Sequence, residues 1–100
     1  MPYLYAMTVE EFQKSLAGIQ VPPSLSPSLE ALWYDGKGDW ETAHTIIQDM
    51  NDKTAARIHA YLHRKEGDIA NAGYWYRRAG QEMPDLPLAD EWKQIAGELL

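Results

Sequence analysis

Three histidines, His44, His59 and His63, are the residues whose type and spacing point most directly to chemistry. His59 and His63 are four apart, so on a helix they share one face a single turn apart. Two imidazoles in that relation are a usual pair of ligands for a transition-metal ion, and His44, from a preceding segment, could supply a third. Asp39 and Glu66 lie in the same neighbourhood, and His44, His59, His63 and Glu66 together make a candidate polar or acid–base site. The bland alternative is that the histidines fill polar seams between helices and bond to backbone or carboxylates. A helical HxxxH without an accompanying glutamate motif arises readily by chance, so no residue is assigned as a metal ligand and no cofactor is expected. Geometry separates the two readings. Convergence of the three imidazoles within coordination distance favours a site, and separation into different seams ends it.

Other chemistries find little support. The chain has no cysteine, which excludes disulfides, thiolate metal sites and a Cys nucleophile. The serines at 15, 24, 26 and 28 have no glycine elbow around them, and three of the four fall in a proline-rich stretch. "DGKGD", residues 35–39, is too short for a phosphate loop and sits at a helix end rather than after a strand. An enzyme is therefore the less favoured class, with an acid–base or metal-dependent enzyme on His44, His59 and His63 as the alternative reading.

These residues must be held by helices. Thr8 and Glu11 form a capping-box pattern, and Val9, Phe12, Leu16 and Ile19 recur at helical spacing, which predicts a helix over 9–17 closed by Gly18 with positive φ. The prolines of "QVPPSLSP" break the chain. Ser26-Pro27 opens a second helix, with Leu29, Leu32 and Trp33 on one face. Asp39 caps a third, carrying Trp40, Ala43, Ile46, Ile47 and Met50. Asp52 caps a fourth, running through Glu66 with a ridge of Ala55, Ile58 and Leu62. Gly67-Asp68 stops it and caps a fifth, with Ile69, Ala72, Tyr76 and Ala79 inward. Leu88, Trp92, Ile95, Ala96 and Leu99 give a last amphipathic helix over 88–99. Trp33 and Trp40 flank "YDGKGD" and are expected to clamp the tip of a hairpin. No segment alternates as a half-buried strand does. The expected fold is all-α, about six helices in a single domain spanning 1–100.

The one hundred residues include four Trp and six Tyr, and the apolar share of 45% is ordinary for a globular chain. "MPYLYAMTVEEF" has no basic start followed by an apolar run, so it does not read as a signal peptide. No stretch has the length of a membrane span, and the expectation is a cytoplasmic protein with no membrane partner. Net charge is −6, which disfavours nucleic acid as a partner. Arg77-Arg78 beside Tyr74 and Trp75 could stack on bases, but a Trp-Tyr pair in such a helix more often packs between helices. Charge is unevenly placed: from Lys53 to Arg78 there are six basic residues against two acidic ones, so that window carries +4 and the rest −10.

"WYDGKGDWETAHTIIQDM" and "YLHRKEGDIANAGYWYRRAG" align without gaps at a constant offset of 29 residues, through Gly38/Gly67, Asp39/Asp68, Ala43/Ala72 and Ile47/Tyr76. Each copy reads as helix, Gly-Asp turn, helix, with hairpins over about 27–50 and 53–80. The second copy resembles a tetratricopeptide repeat: Ala60 stands at the small position of the first helix, Gly67 at the turn, Ala72, Tyr76 and Ala79 at the small, aromatic and small positions of the second, and Pro84 at the closing proline. The first copy departs from that pattern at Met50, and the signature Trp and Leu of the first helix are missing. "LEALWYDGKGDW", "HAYLHRKEGD" and "YWYRRAG" also look like segments of a group of short bacterial proteins, a resemblance that carries no activity.

The resemblance implies a right-handed array of antiparallel hairpins that binds a protein or acidic peptide on its concave side. In that geometry Thr54, Arg57, Tyr61, Arg64 and Lys65 would line the concave face. Arg57, Tyr61, Arg64 and Lys65 are the expected partner-binding residues, because Arg forks pair with carboxylates and tyrosine offers a flat contact surface. The expected asparagines of a peptide clamp are absent, and the first copy offers Leu25, Ser28, Leu32 and Asp35 instead. Against partner binding stands a basic face that pairs with this chain's own acidic residues, such as Glu10, Glu11 or Asp90-Glu91. The expected function is a non-catalytic protein–protein interaction module. A self-associating structural protein, a homodimer joined through the last helix, is the further alternative.

Overall fold

Every helix but the last begins at a side chain that accepts a backbone N–H which the helix itself leaves unpaired. In this structure, a computed structural model that describes residues 7–100, α1 (Val9–Ser15) starts at Thr8. The Thr8 hydroxyl accepts from Glu11 N, and Glu11 Oε1 accepts from Thr8 N, which completes the capping box. Ser26 caps α2 (Pro27–Gly36), with proline in its first turn. Asp39 caps α3 (Trp40–Ile47), Asp52 caps α4 (Lys53–Glu66) and Asp68 caps α5 (Ile69–Arg78). The Thr42 hydroxyl and N–H hold the Asp39 carboxyl below its usual range. α6 (Leu88–Leu99) is entered from Pro87 without a side-chain cap. The described residues form an all-α fold of these six helices. Residues 1–6 of the stretch read for a leader lie outside the described residues.

The repeat is present as backbone geometry. Gly38 and Gly67 have φ of +88° and +91°, a left-handed conformation open to glycine at little cost. After them, Asp39 N donates to Tyr34 O and Asp68 N to His63 O, both at 2.9 Å. This is the closing bond of a Schellman turn, made twice at the same offset. The turn folds α2 against α3 and α4 against α5, so two hairpins stand side by side with α4 against α3 and α2. α6 then returns across α4 and α2, and α1 lies along α6.

α4 is the central helix. Ala55, Ile58 and Leu62 are fully buried as their spacing predicts, and so are Ala43 and Ile47 opposite. Ala60 and Ala72 are fully buried beside Tyr76, where small side chains let α4 and α5 approach and the ring fills the groove. Three indoles tie helices together through their N–H groups. Trp33 donates to Ser15 Oγ, Trp40 to Leu62 O and Trp92 to Leu32 O. Trp33 and Trp40 thus fasten the first hairpin to α1 and α4, rather than clamping its own tip.

Three local expectations are corrected. α1 stops at Ser15, and Gly18 has no positive φ; the left-handed residue of this loop is Ser24, at +68°. The last carbonyls of α1 accept from Leu16, Ala17 and Gly18 N, and Lys37 Nζ donates to Leu16 O and Gly18 O just beyond the helix at 2.7 Å each, so the chain leaves α1 without a glycine turn. Ile19 consequently falls beyond the helix and is 93% exposed. Ile69 is also outward, 53% exposed. It occupies the position equivalent to Trp40, but α6 turns back onto α4 and α2 and does not cover that face of α5.

Candidate functional site

The histidines converge. His44 reaches from α3, and His59 and His63 stand one turn apart on α4. One ring nitrogen from each falls into a group in which all three lie within 4.8 Å of one another. His44 Nε2 and His59 Nε2 are 3.0 Å apart, so one carries the proton and the other accepts it. Nitrogens bound to a tetrahedral ion at about 2.0–2.1 Å stand roughly 3.4 Å from each other. The cluster, with one pair at 3.0 Å and all three within 4.8 Å, brackets the spacing that an ion would impose.

The antiparallel seam between α3 and α4 explains the meeting. Trp40 Nε1 is bonded to Leu62 O at 2.8 Å, which fixes the register, and one turn along α3 brings His44 to His59. The rings stack in order: Trp40 on His44 with centroids 4.8 Å apart and planes 8° from parallel, His44 edge-on to His59, and His59 on Trp75 of α5 at 4.0 Å and 19°. His59 and His63 are buried, and His44 is half-buried.

Two features prepare the nitrogens as ligands. Burial, then the proximity of His44 and His63, pushes the His59 pKa down to about 4. His44 is lowered by its burial and by His63, with Glu66 acting in the opposite sense. Both are neutral near pH 7, so an ion meets imidazole and not imidazolium at each. On His63, Nδ1 lies 2.7 Å from Glu66 Oε2. A carboxylate there holds the proton on Nδ1 and leaves Nε2 as the donor atom, the outer-sphere arrangement of many histidine metal ligands. That Nε2 faces Asn71 Nδ2 at 3.4 Å. A second grouping, His63 with Glu66 and Asp68, lies toward solvent, and Asp68 there is engaged as the cap of α5.

The four expected partner residues are placed elsewhere, and all are bonded within the chain. Tyr61 is 2% exposed, and its hydroxyl donates to Asp35 Oδ2. Lys65 pairs with Asp35 Oδ1 at 2.9 Å. Arg64 donates to Glu91 Oε1 and to Leu86 O, and Glu91, itself fully buried, also accepts from the Tyr76 hydroxyl at 2.6 Å. Arg57 is paired with Glu98 and reaches Gln94 Oε1. Burial and the adjacent carboxylates push the Tyr61 and Tyr76 hydroxyls far above their ordinary range. α6 therefore lies on the face of α4 that carries Arg57 and Arg64. Of the first-copy residues, Ser28 and Leu32 are buried and Leu25 is half-buried. The apolar face of α6 is likewise spent inside: Trp92, Ile95 and Ala96 are buried in the same core.

Sequence reasoning found the three imidazoles and Glu66 but missed Asn71, Trp40 and Trp75 as their surroundings. The signal for Asn71 was present: an antiparallel hairpin with a Gly-Asp turn sets the first turn of α5 beside the last turn of α4, where His63 stands. A cavity of about 310 Å³ beside Leu16, Tyr61, Lys65, Leu88 and Trp92 has no histidine in its lining. That is no objection, because a bound ion occupies only the gap between its ligands. No protein-family model matches the chain, and no curated protein or solved structure matches it either.

Proposed function

We propose that this chain is a small helical metal-binding module that holds a divalent transition ion of the zinc class between its two hairpins, through His44, His59 and His63. The observation that carries this is the convergence of three imidazole nitrogens from two helices within 4.8 Å. An all-imidazole set suits zinc, copper and nickel and disfavours magnesium and calcium, which prefer oxygen. The neutral state of His59 and His44 and the Glu66 carboxylate behind His63 support the same reading. Native mass spectrometry of protein purified without chelator tests it. One ion per chain, removed by EDTA and absent from His63→Ala at unchanged helical circular dichroism, is expected. Zinc uptake by His63→Ala equal to that of the parent would end the proposal.

A second reading keeps the chain as an interaction module for a protein or acidic peptide, centred on Arg57. The supporting observation is that the Arg57 Nε is buried without a hydrogen-bond partner. Its side chain lines a polar cavity of about 300 Å³ with Gln81, Gln94 and Glu98, and the Glu98 side chain, 54% exposed, is free to be displaced. Fluorescence anisotropy of a labelled oligoglutamate peptide tests it. Saturable binding, weakened in Arg57→Lys, is expected, and no binding to the parent chain removes this reading.

A further inference from the structure

The triad offers three donors where a closed site offers four. Structural zinc sites are four-coordinate with protein ligands alone, whereas sites with three protein ligands keep one position for water or another exchangeable group. Among the described residues, no further His, Asp or Glu atom joins the three imidazoles, and the chain has no cysteine. Glu66 is engaged on Nδ1 of His63, the ring nitrogen other than the one that faces Asn71. Ring faces are also taken, by Trp40 on His44 and Trp75 on His59. What remains beside His63 Nε2 is the Asn71 side chain, at 3.4 Å. Asn71 and His44 are half-buried while His59 and His63 are buried, so the cluster opens toward solvent on this side.

Asn71 also changes partners when an ion binds. With the His63 proton held on Nδ1 by Glu66, the Asn71 amide N–H, at 3.4 Å, faces the His63 Nε2 lone pair. An ion takes that lone pair, and the half-buried amide then turns to another acceptor, solvent or a ligand on the ion. A negatively charged ligand on the ion, next to His63, supplies that acceptor. Resting on the metal reading above, we infer that the fourth coordination position is open on the Asn71 side. It takes an exchangeable small anion, hydroxide in plain water, which accepts a hydrogen bond from the Asn71 amide. Such a position gives the ion Lewis-acid character, since a bound water is acidified strongly there.

The test uses the full chain loaded with Co²⁺, whose visible bands report coordination, titrated with azide. A saturable band shift is expected, with azide affinity falling about tenfold or more in Asn71→Ala through loss of one charge-assisted hydrogen bond. Asn71→Asp should weaken azide binding further by repulsion, which loss of packing alone would not do. If Co²⁺ binds but azide leaves the bands unchanged, the open position is overturned and the metal site stands. If azide binds equally to the parent and to both variants, the placement beside Asn71 is overturned. If Co²⁺ does not bind at all, this inference and the metal reading fall together.

Discussion

His59 is enclosed by His44, His63 and Trp75, and its pKa of about 4 makes it a reporter of the folded state. Its ordinary value of 6.5 lies higher, so the unfolded chain binds a proton that the folded chain refuses. Its contribution to stability is fully present above about pH 6.5 and is lost as pH falls toward 4. His44 acts in the same direction. Urea unfolding in EDTA across this range should show wild type losing stability more steeply than His59→Gln; parallel curves would contradict the burial of a neutral imidazole. At His63, Glu66→Gln removes the carboxylate behind the ring and should weaken zinc binding by about tenfold, within the usual effect of such outer partners. A chelator-competition assay reads that loss. At Glu91, the fully buried acceptor of Arg64 and Tyr76, Glu91→Gln removes one charge of a buried pair and should cost about 3 kcal/mol of unfolding free energy.

Between helices, two glycines separate backbone strain from close approach. A Cβ on Gly67 would meet nothing within 4 Å, so Gly67→Ala is penalised only by its φ of +91° and should cost about 1 kcal/mol. A Cβ on Gly36 would meet Leu16 Cδ1 at 2.9 Å and Trp92 Cζ2 at 3.1 Å. Gly36→Ala must therefore push α1 and α6 away from α2 and should cost more, about 1–3 kcal/mol. Thermal unfolding of the pair ranks the two effects, and equal losses would mean that Leu16 yields freely. The helix starts were legible in the sequence because a cap is a bond between a side chain and backbone three residues away. Thr8, Ser26, Asp39, Asp52 and Asp68 all act as read. The end of α1 was not legible, because Lys37, from a distant turn, takes the carbonyls of Leu16 and Gly18 just past it.

For the whole molecule, an ion that binds only the folded chain adds stability by mass action. At about one hundred times its dissociation constant the gain is roughly 2.7 kcal/mol, which in a chain of this size raises the melting temperature by about 10–20 °C. Zinc should produce that rise, EDTA should reverse it, and a triple His→Ala variant should show neither. What the sequence determined by itself was local or periodic: six helices, five of them with their caps, the Gly-Asp turns repeated at 29 residues, the inward faces of α3, α4 and α6, and two histidines on one helical face. Spacing sufficed because a helix converts sequence separation directly into direction. Only the tertiary structure decided that His44 meets His59 across 15 residues, a contact set by the register of α3 against α4. It also showed which partners the basic stripe has within the chain. Arg57, Tyr61, Arg64 and Lys65 carry the types suited to a partner, but α6 and α2 bring Glu98, Glu91 and Asp35 to them first. Charge pattern shows which groups need partners, and packing decides which of them meet a carboxylate of their own chain.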